Sequence, residues 1–365
     1  MNNQQISKIR IKGYKSIKEC NLNMGMINVF IGTNGAGKSN FISVFKFLQD
    51  VIEKQIQWNI GKSGGPSAIL YNGPKVTDVL ELRFEFGKNA YELHMQAADT
   101  GTLIFESEYF FYKWRDTIFT RKVGMNSGYL ESNWEVGTQT KYDKYVQPIL
   151  NKQKWRLYHF HDTSSSAKIK QQGKIVNNAE LAHDAGNVAA FLYRIKKEHP
   201  MNYNRIVSAV RLIAPYFDDF YLEPIYGTED IKLNWKQNGT YDIFSANQFS
   251  DGTIRFICLA TLLLQPEELQ PESIVIDEPE LGLHPYAITL LGEIIHEVGV
   301  KKQIILSTQS VELLNQFDVN EVVVVNRESG QTSFHRLDEE ELSSWLEEEY
   351  SLGELWKKNV IGGRF

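Results

Sequence analysis

The sequence predicts an α/β protein: a mixed, largely parallel sheet flanked by helices, with an antiparallel β-rich lobe and a helical subdomain set into it. Three observations carry this. An apolar run at residues 27–31 passes through a glycine-rich loop into a helical pattern at 40–48. The closing third alternates strand and helix, as parallel strands joined by crossover helices require. Between these ends, from Asp78 to Trp114, apolar residues recur with period two, the spacing of an antiparallel sheet.

Taken in order, residues 6–12 set Ile6, Ile9 and Ile11 among Lys8, Arg10 and Lys12 and read as a half-exposed strand. A second strand at 17–22 leads to the buried run at 27–31, which feeds the helix at 40–48. Residues 61–66 (GKSGGP) read as a mobile loop. Val79, Leu80, Leu82, Phe84 and Phe86 precede Gly87-Lys88-Asn89, and Tyr91, Leu93 and Met95 follow, which makes a hairpin. Residues 103–114 continue that sheet, 124–139 are polar and weakly patterned, and 56–150 together form the inserted β-rich lobe. After a strand at 155–160, helices at 187–197 and 203–214 are separated by Pro200. A strand at 217–225 and a hairpin at 231–244, turning at Asn238-Gly239, come next. Ser250 and Asp251 cap an apolar helix that ends before Pro266. The remainder is strand 273–276, helix 285–298, strand 303–306, helix 311–317 and strand 321–325. Residues 1–337 then form one domain, with the helical subdomain at 186–266, and 338–365 an acidic helical tail.

Composition narrows the function. A net charge of −6 gives no global electrostatic case for nucleic acid, so any such surface must be local. Cys20 and Cys258 lie in apolar stretches and read as buried thiols of a reducing compartment. The N-terminal MNNQQISKIRIKGYK has no apolar signal core, and the longest apolar run, 256–264, is too short to span a bilayer; the expected location is cytoplasmic.

The chemistry starts at residues 32–39, GTNGAGKS, which have the G-x-x-x-x-G-K-[ST] spacing of a phosphate-binding loop. Gly32, Gly35 and Gly37 let the backbone fold tightly enough for its N–H groups to converge on phosphate oxygens. Lys38 places a point charge on the β- and γ-phosphates, and the Ser39 hydroxyl is a ligand for the Mg²⁺ that travels with the nucleotide. Gly32, Thr33, Asn34, Gly35, Ala36, Gly37, Lys38, Ser39 and Asn40 are therefore the expected ATP-binding residues. The strand at 273–276 runs into Asp277 and Glu278 at its C-terminal end, where α/β sheets put ligands. Asp277 suits the Mg²⁺ shell and Glu278 suits general-base duty on water.

In their order along the chain these motifs resemble those of an ABC-type ATPase. Phe249-Ser250-Asp251-Gly252-Thr253 looks like its signature, IDEPELGLHP at 276–285 like its acidic strand with D-loop, and ILSTQS at 305–310 like its switch loop. The N-terminal RIKGYKSIKE and the GKSN ending of the loop narrow this to the group of RecF, SMC heads and OLD-family ATPases. YHFHDTS at 158–164 and LWKKNVIGG in the tail are similar to its stand-alone bacterial AAA-family members, which lack a nuclease domain. The resemblance covers nearly the whole chain. It implies a homodimer or higher oligomer in which Ser250 and Gly252 of one protomer close over the ATP of the other. It also implies Mg²⁺-dependent ATP hydrolysis, with Glu278, Lys38 and Gln309 as catalytic residues.

Three departures bear on turnover. Asp251 stands where a glycine is usual and would repel phosphate unless it points away; His284 replaces the aspartate that usually ends the D-loop. Gln309 occupies the switch position usually held by histidine and can orient water but cannot take its proton. Slow turnover follows. Between the phosphate loop and the signature there are no heptads of a coiled coil, and too few residues follow the last strand for a nuclease domain. Further chemistry then falls to a separate effector protein, in the setting of bacterial antiviral defence that the resemblance implies. A DNA-repair ATPase clamping DNA directly, or a non-hydrolysing ATP-dependent scaffold, are the alternatives.

Three other stretches stand out. His159, His161 and Asp162 have a spacing that suits a metal, or a polar strand end contacting the nucleotide or the dimer partner. Lys141, Lys144, Lys152, Lys154, Arg156, Lys168, Lys170 and Lys174, with Tyr142, Tyr145 and Trp155 among them, are the candidate DNA surface or simply a solvated face. In the tail, Leu342, Trp345, Leu346 and Tyr350 share one helical face against a dense acidic one, fit for a partner protein or for the chain's own sheet edge.

Overall fold

The computed structural model describes residues 5–114, 118–124, 127–133, 155–347 and 349–363. They form two compact units, one of residues 1–156 with 318–365 and one of residues 157–317.

The first unit opens with the antiparallel pair β1 (Lys8–Tyr14) and β2 (Ile17–Asn23). The strand runs to Tyr14, beyond the expected end at residue 12, because Tyr14 still pairs with Ile17 across the turn. β3 (Ile27–Ile31) is buried along its whole length and leads into α1 (Lys38–Ile52). The expected glycine-rich loop at 61–66 is instead the end of α2 (Ile56–Lys62) and the start of α3 (Pro66–Ile69). Gly64 and Gly65, both at positive φ, make the turn between them. The period-two stretch becomes β4 (Val79–Phe86), β5 (Asn89–Ala97), β6 (Leu103–Trp114) and β7 (Ile118–Gly124). These do not stand apart from the N-terminus: β4 pairs with β1, Ile9 opposite Phe84 and Ile11 opposite Leu82, giving one six-stranded antiparallel sheet ordered β2-β1-β4-β5-β6-β7. Its inner face (Ile9, Ile11, Leu80, Leu82, Phe84, Leu93) is fully buried, and the Phe84 ring meets Phe45 of α1 with centroids 6.3 Å apart.

β8 (Trp155–Tyr158) carries the chain into the second unit. There, β9 (Gly173–Lys174) precedes α4 (Val188–Glu198) and α5 (Pro200–Ile213). Pro200 is the first residue of α5 rather than a break before it, at the one helical position where a missing N–H costs nothing. β10 (Phe217–Tyr221), β12 (Asn234–Gln237) and β13 (Ile243–Ser245) make a small antiparallel sheet, while β11 (Asp230–Ile231) leaves it to pair with β9. Gly239, at φ 78, turns the expected hairpin. Trp235 stacks between Phe244 and Phe249, at 4.8 and 4.5 Å. α6 (Asp251–Leu264) is buried without a break from Phe256 through Leu264, where Thr261 is the one polar side chain in an otherwise apolar run. β14 (Ser273–Asp277) and β15 (Gln303–Thr308) are parallel, joined through α7 (Pro285–Gly299), and the register sets Asp277 opposite Ser307. α8 (Val311–Leu314) is a single turn, shorter than the 311–317 pattern suggests.

Returning to the first unit, β16 (Val322–Glu328) lies parallel to β3, and β17 (Gln331–Arg336) pairs with β16 in antiparallel fashion. α9 (Glu339–Glu347) and α10 (Leu352–Lys357) follow, the latter opened by a Ser351–Glu354 capping box. Leu342, Leu355 and Trp356 are buried, whereas the Trp345 ring is exposed and meets Tyr350 with centroids 5.7 Å apart.

Candidate functional site

In the first unit, strand β3 delivers the chain to the loop at 32–37 and α1 starts at Lys38. Gly37, the residue before the helix, sits at φ 113, and a Cβ there would run into the Thr332 side chain. Only glycine serves at that point. The Lys38 ammonium is buried and donates to the carbonyls of Gly32 (2.7 Å) and Thr33 (3.1 Å), which hold it within the turn of the loop. Asn34, Gly35 and Ser39 are exposed, so the loop edge and the Ser39 hydroxyl face solvent at the positive end of a 15-residue helix.

Asn40 and four residues that the sequence reading did not single out, Ser16, Arg327, Thr332 and Gly363, fix this loop. Asn40 donates to the Ser16 hydroxyl (2.7 Å), Ser16 meets the Thr332 hydroxyl (2.7 Å), and Thr332 donates to the Ala36 carbonyl (2.9 Å). Arg327 donates to the Gly35 carbonyl (3.2 Å), and the Thr33 N–H reaches the Gly363 carbonyl (2.9 Å). Beside Asn40 opens a cavity of about 670 Å³ lined by Lys15, Ser16, Ser67, Asn72, Lys75 and Arg327, among other residues, with no carboxylate in its wall. Such a wall suits an anionic ligand.

In the second unit, Asp277 ends β14 and accepts a short hydrogen bond from the Ser307 hydroxyl on the adjoining strand. Glu278 follows at φ 43, a left-handed conformation rare for a residue with a side chain, and its N–H reaches the Ser307 carbonyl (3.0 Å). Two residues on, Glu280 is buried: one oxygen accepts from the Thr308 hydroxyl (2.6 Å) and the Gln309 N–H (3.2 Å), while the other has no partner. It thus ties the predicted switch residue Gln309 to the turn that carries Glu278. Burial pushes the Glu280 carboxyl above its ordinary value, the hydrogen bonds pull it back only in part, and Glu278 adds to the rise.

A raised folded-state value means that the fold favours the protonated carboxyl, so this contribution is present at low pH and is lost as pH climbs through the folded value. Glu280→Gln copies the protonated form and removes that dependence. The melting temperature of Glu280→Gln minus that of wild type is therefore expected to grow from pH 5 to pH 8; a difference flat with pH would mean that Glu280 titrates as an exposed acid.

At the signature segment, the Ser250 side chain caps α6, accepting from the Thr253 N–H (3.1 Å). Asp251 is exposed, with the Lys170 ammonium 3.8 Å from its carboxylate, which offsets the charge that the sequence flagged as unfavourable. Gly252 packs against the Gly282 carbonyl so closely that a Cβ would collide with it. His284 caps α7, its Nδ1 accepting from the Tyr286 N–H (3.4 Å), a role open to the aspartate it replaces. The His161 ring lies 2.9 Å from the Asp277 carbonyl, and the His159 and His161 rings are 5.9 Å apart. Asp162 is engaged elsewhere, by the N–H and hydroxyl of Ser164. No group of three or more His, Cys, Asp or Glu poised to hold a metal occurs among the described residues.

Of the basic stretch, Lys141, Lys144, Lys152 and Lys154 lie outside the described residues. Lys168 pairs with Asp184 (2.7 Å), Lys174 with Asp230 (2.8 Å), and Lys170 donates to the Thr163 carbonyl (2.6 Å). Arg156 lies half-buried on β8. Both cysteines are buried thiols, and burial pushes Cys20 up to about 12. No helix among the described residues is long and apolar enough to cross a membrane.

A buried lysine within a glycine loop that opens a helix, and an Asp-Glu pair closing a parallel strand, are motifs that P-loop nucleotidases carry. The profile of a family described as "AAA domain, putative AbiEii toxin, Type IV TA system" matches residues 27–121 and 142–315. The chain belongs to this AAA family. Among solved structures it is similar to the Smc head domain with an extended coiled coil bound to the C-terminal domain of ScpA, from Pyrococcus furiosus. That likeness has a TM-score of 0.60 and 13% identity, over 94% of this chain and 99% of that one. It is also similar to an SmcHead bound to the C-winged helix domain of ScpA, with a TM-score of 0.57 and 13% identity over 93% and 99%. The search of curated proteins gives no match. This AAA-family chain therefore has the SMC-head fold of ABC-type P-loop ATPases, its mixed sheets flanked by helices.

Proposed function

We propose that this chain binds and slowly hydrolyses ATP with Mg²⁺, dimerises head to tail around the nucleotide, and acts as the sensing subunit of a separate effector protein in bacterial antiviral defence. The backbone of Glu278 carries the hydrolytic part of this reading. A left-handed glutamate costs on the order of 1–3 kcal/mol, and such strain gathers where a side chain must be aimed for function.

In this reading Lys38 neutralises the β- and γ-phosphates, and the cavity lined by Lys15, Lys75 and Arg327 receives the nucleoside end and its phosphate. Ser39 and Asp277 would hold Mg²⁺: an exposed hydroxyl and a carboxylate at the end of β14 are the hard oxygen donors which that ion takes. The ion supplies positive charge to the phosphates. Glu278 takes the proton of the attacking water, and Gln309, clamped by Glu280, orients that water without accepting the proton. With a glutamine rather than a histidine at the switch position, Glu278 takes the proton alone and turnover is slow. Ser250 and Gly252 bring the N-terminal end of α6 to the partner protomer's γ-phosphate, with the charge of Asp251 offset by Lys170.

Two comparisons support a separate protein partner. The family description names a toxin of a type IV toxin–antitoxin system, and the similar SMC heads are seen bound to ScpA domains. Direct DNA clamping is the rival reading. Its support is the basic sequence of 141–174, of which Lys168 and Lys174 are already paired with acids.

The deciding experiment measures particle mass and ATP turnover with and without duplex DNA. The mass is expected to double on adding Mg-ATP, with turnover unaltered by DNA. Salt-sensitive stimulation by DNA would favour the clamp, and a mass indifferent to ATP would overturn the dimer.

A further inference from the structure

We infer that Arg255 and His161 are positioning residues that bind the N-terminal end of α6 to the Asp277–Glu278 pair of the same protomer, so that what the helix start meets is passed to the catalytic acids. The inference rests on the ATP-dimer reading above and goes beyond it by naming the route between two nucleotides.

The geometry is a closed ring. Arg255 is the fifth residue of α6, just past its first turn and five residues after the capping Ser250. Its guanidinium donates from Nη1 to the Leu281 carbonyl (2.7 Å) and from Nη2 to the His161 carbonyl (3.0 Å). The planar fork of arginine fixes the directions of both donors, whereas the donors of lysine's flexible ammonium rotate freely. Leu281 belongs to the turn that begins at Glu278, its N–H pointing to the Glu278 carbonyl (3.3 Å). On the other side, the ring nitrogen Nε2 of His161 lies 2.9 Å from the Asp277 carbonyl. The path thus runs from α6 through Arg255 to the 278–282 turn, along the backbone to Asp277, through the imidazole to residue 161, and back to Arg255.

Steric contacts tighten the same ring. Gly282 sits at φ 75, and a Cβ on it would come within 2.6 Å of the Arg255 Nη1. The Cβ position of Gly252 is filled by the Gly282 carbonyl. A shift of the α6 N-terminus therefore cannot leave the 278–282 turn where it was. This assigns a task to the 158–164 segment: His161 braces the strand end that carries Asp277.

In a dimer where α6 of one protomer touches the ATP held by the other, the ring joins occupancy of one site to the alignment of Glu278 at the second. Turnover should then be cooperative in ATP, with a Hill coefficient near 2 (~2, the number of sites). The test titrates Mg-ATP against turnover for the full chain, with ATP-dependent mass and melting temperature measured alongside. Arg255→Ala and His161→Ala are each expected to bring the Hill coefficient to ~1 and to lower kcat on the order of 10-fold or more. The ATP-dependent dimer in a Glu278→Gln background should persist. His161→Gln, which keeps a side-chain N–H donor, should restore both values, and Arg255→Lys should not.

A merely structural role predicts lower melting temperatures with the Hill coefficient unmoved, and that result overturns the inference. So does a wild-type Hill coefficient of 1 in a protein that does dimerise. If Arg255→Ala does not fold, Arg255→Lys and His161→Ala decide by the same criterion. Failure of Glu278→Gln to dimerise on ATP is a different outcome, since it removes the dimer reading on which the inference stands.

Discussion

Replacing Glu278 with glutamine is expected to cut ATP turnover by about 10²- to 10⁴-fold, the range by which a positioned general base accelerates a reaction. ATP binding should stay within about twofold, because no other loop or strand contact changes and glutamine is nearly isosteric. Glutamine still accepts a hydrogen bond from water, but it cannot take the proton. Gln309 cannot take it either, and Glu280 is committed to Thr308 and Gln309. The variant should therefore retain bound ATP.

A second substitution separates chemistry from strain. Glu278 holds φ 43, which costs about 1–3 kcal/mol for a residue with a Cβ. Glycine removes that cost and gives back about 0.4–1 kcal/mol through the freer unfolded chain. Glu278→Gly should consequently be as inactive as Glu278→Gln yet melt at a higher temperature. Single-turnover hydrolysis and thermal melting of the two variants settle it. Retention of more than a tenth of wild-type turnover by either would move the base elsewhere, and equal melting of both would remove the strain argument.

What the sequence made legible were features written in local pattern. β3 and β14 are continuous apolar runs, α1 and α7 have helical spacing, and the loop glycines and the Asp-Glu pair sit at fixed offsets from them. β17 escaped because Gln331–Arg336 is mostly polar; it becomes a strand by pairing with the all-valine start of β16. α10 escaped because six residues are too few for a period to show. The helical reading of 311–317 overran because Asn315 and Phe317 fold back in a turn beyond α8. The β-rich lobe was seen, but its union with β1 was not, since strand pairing across some 70 residues leaves no local mark.

The candidate site divides the same way. Lys38, Asp277 and Glu278 could be proposed from the sequence because each lies in a motif. Ser16, Thr332, Arg255, Ser307 and Glu280 were not, because each acts on a backbone or side chain far along the sequence. Ser16 and Thr332 are 316 residues apart, and Arg255 and His161 are 94. The left-handed backbone of Glu278, whose N–H reaches across to the Ser307 carbonyl, has no signature in residue type.

Gly37→Ala should be a strongly damaging single-methyl change, costing about 2–6 kcal/mol, the sum of a strained positive φ and an overpacked contact. That is a large part of the ordinary stability of a folded domain. The methyl would meet Thr332, which cannot move aside cheaply: it is fully buried, and its hydroxyl bridges Ser16 and the Ala36 carbonyl. The loop must shift instead, which carries the Lys38 ammonium away from its two carbonyls and misaims the start of α1. ATP affinity should fall with stability, on the order of 10-fold or more. Gly35 supplies the control, since it too has positive φ (82) but open space where its Cβ would be. Gly35→Ala therefore pays for strain alone. The difference between the two alanine variants, in melting temperature and in ATP dissociation constant, measures the Thr332 contact. It should shrink when both are remade in a Thr332→Ala background. Equal losses for Gly35→Ala and Gly37→Ala would show that Thr332 yields, and that backbone conformation alone makes position 37 a glycine.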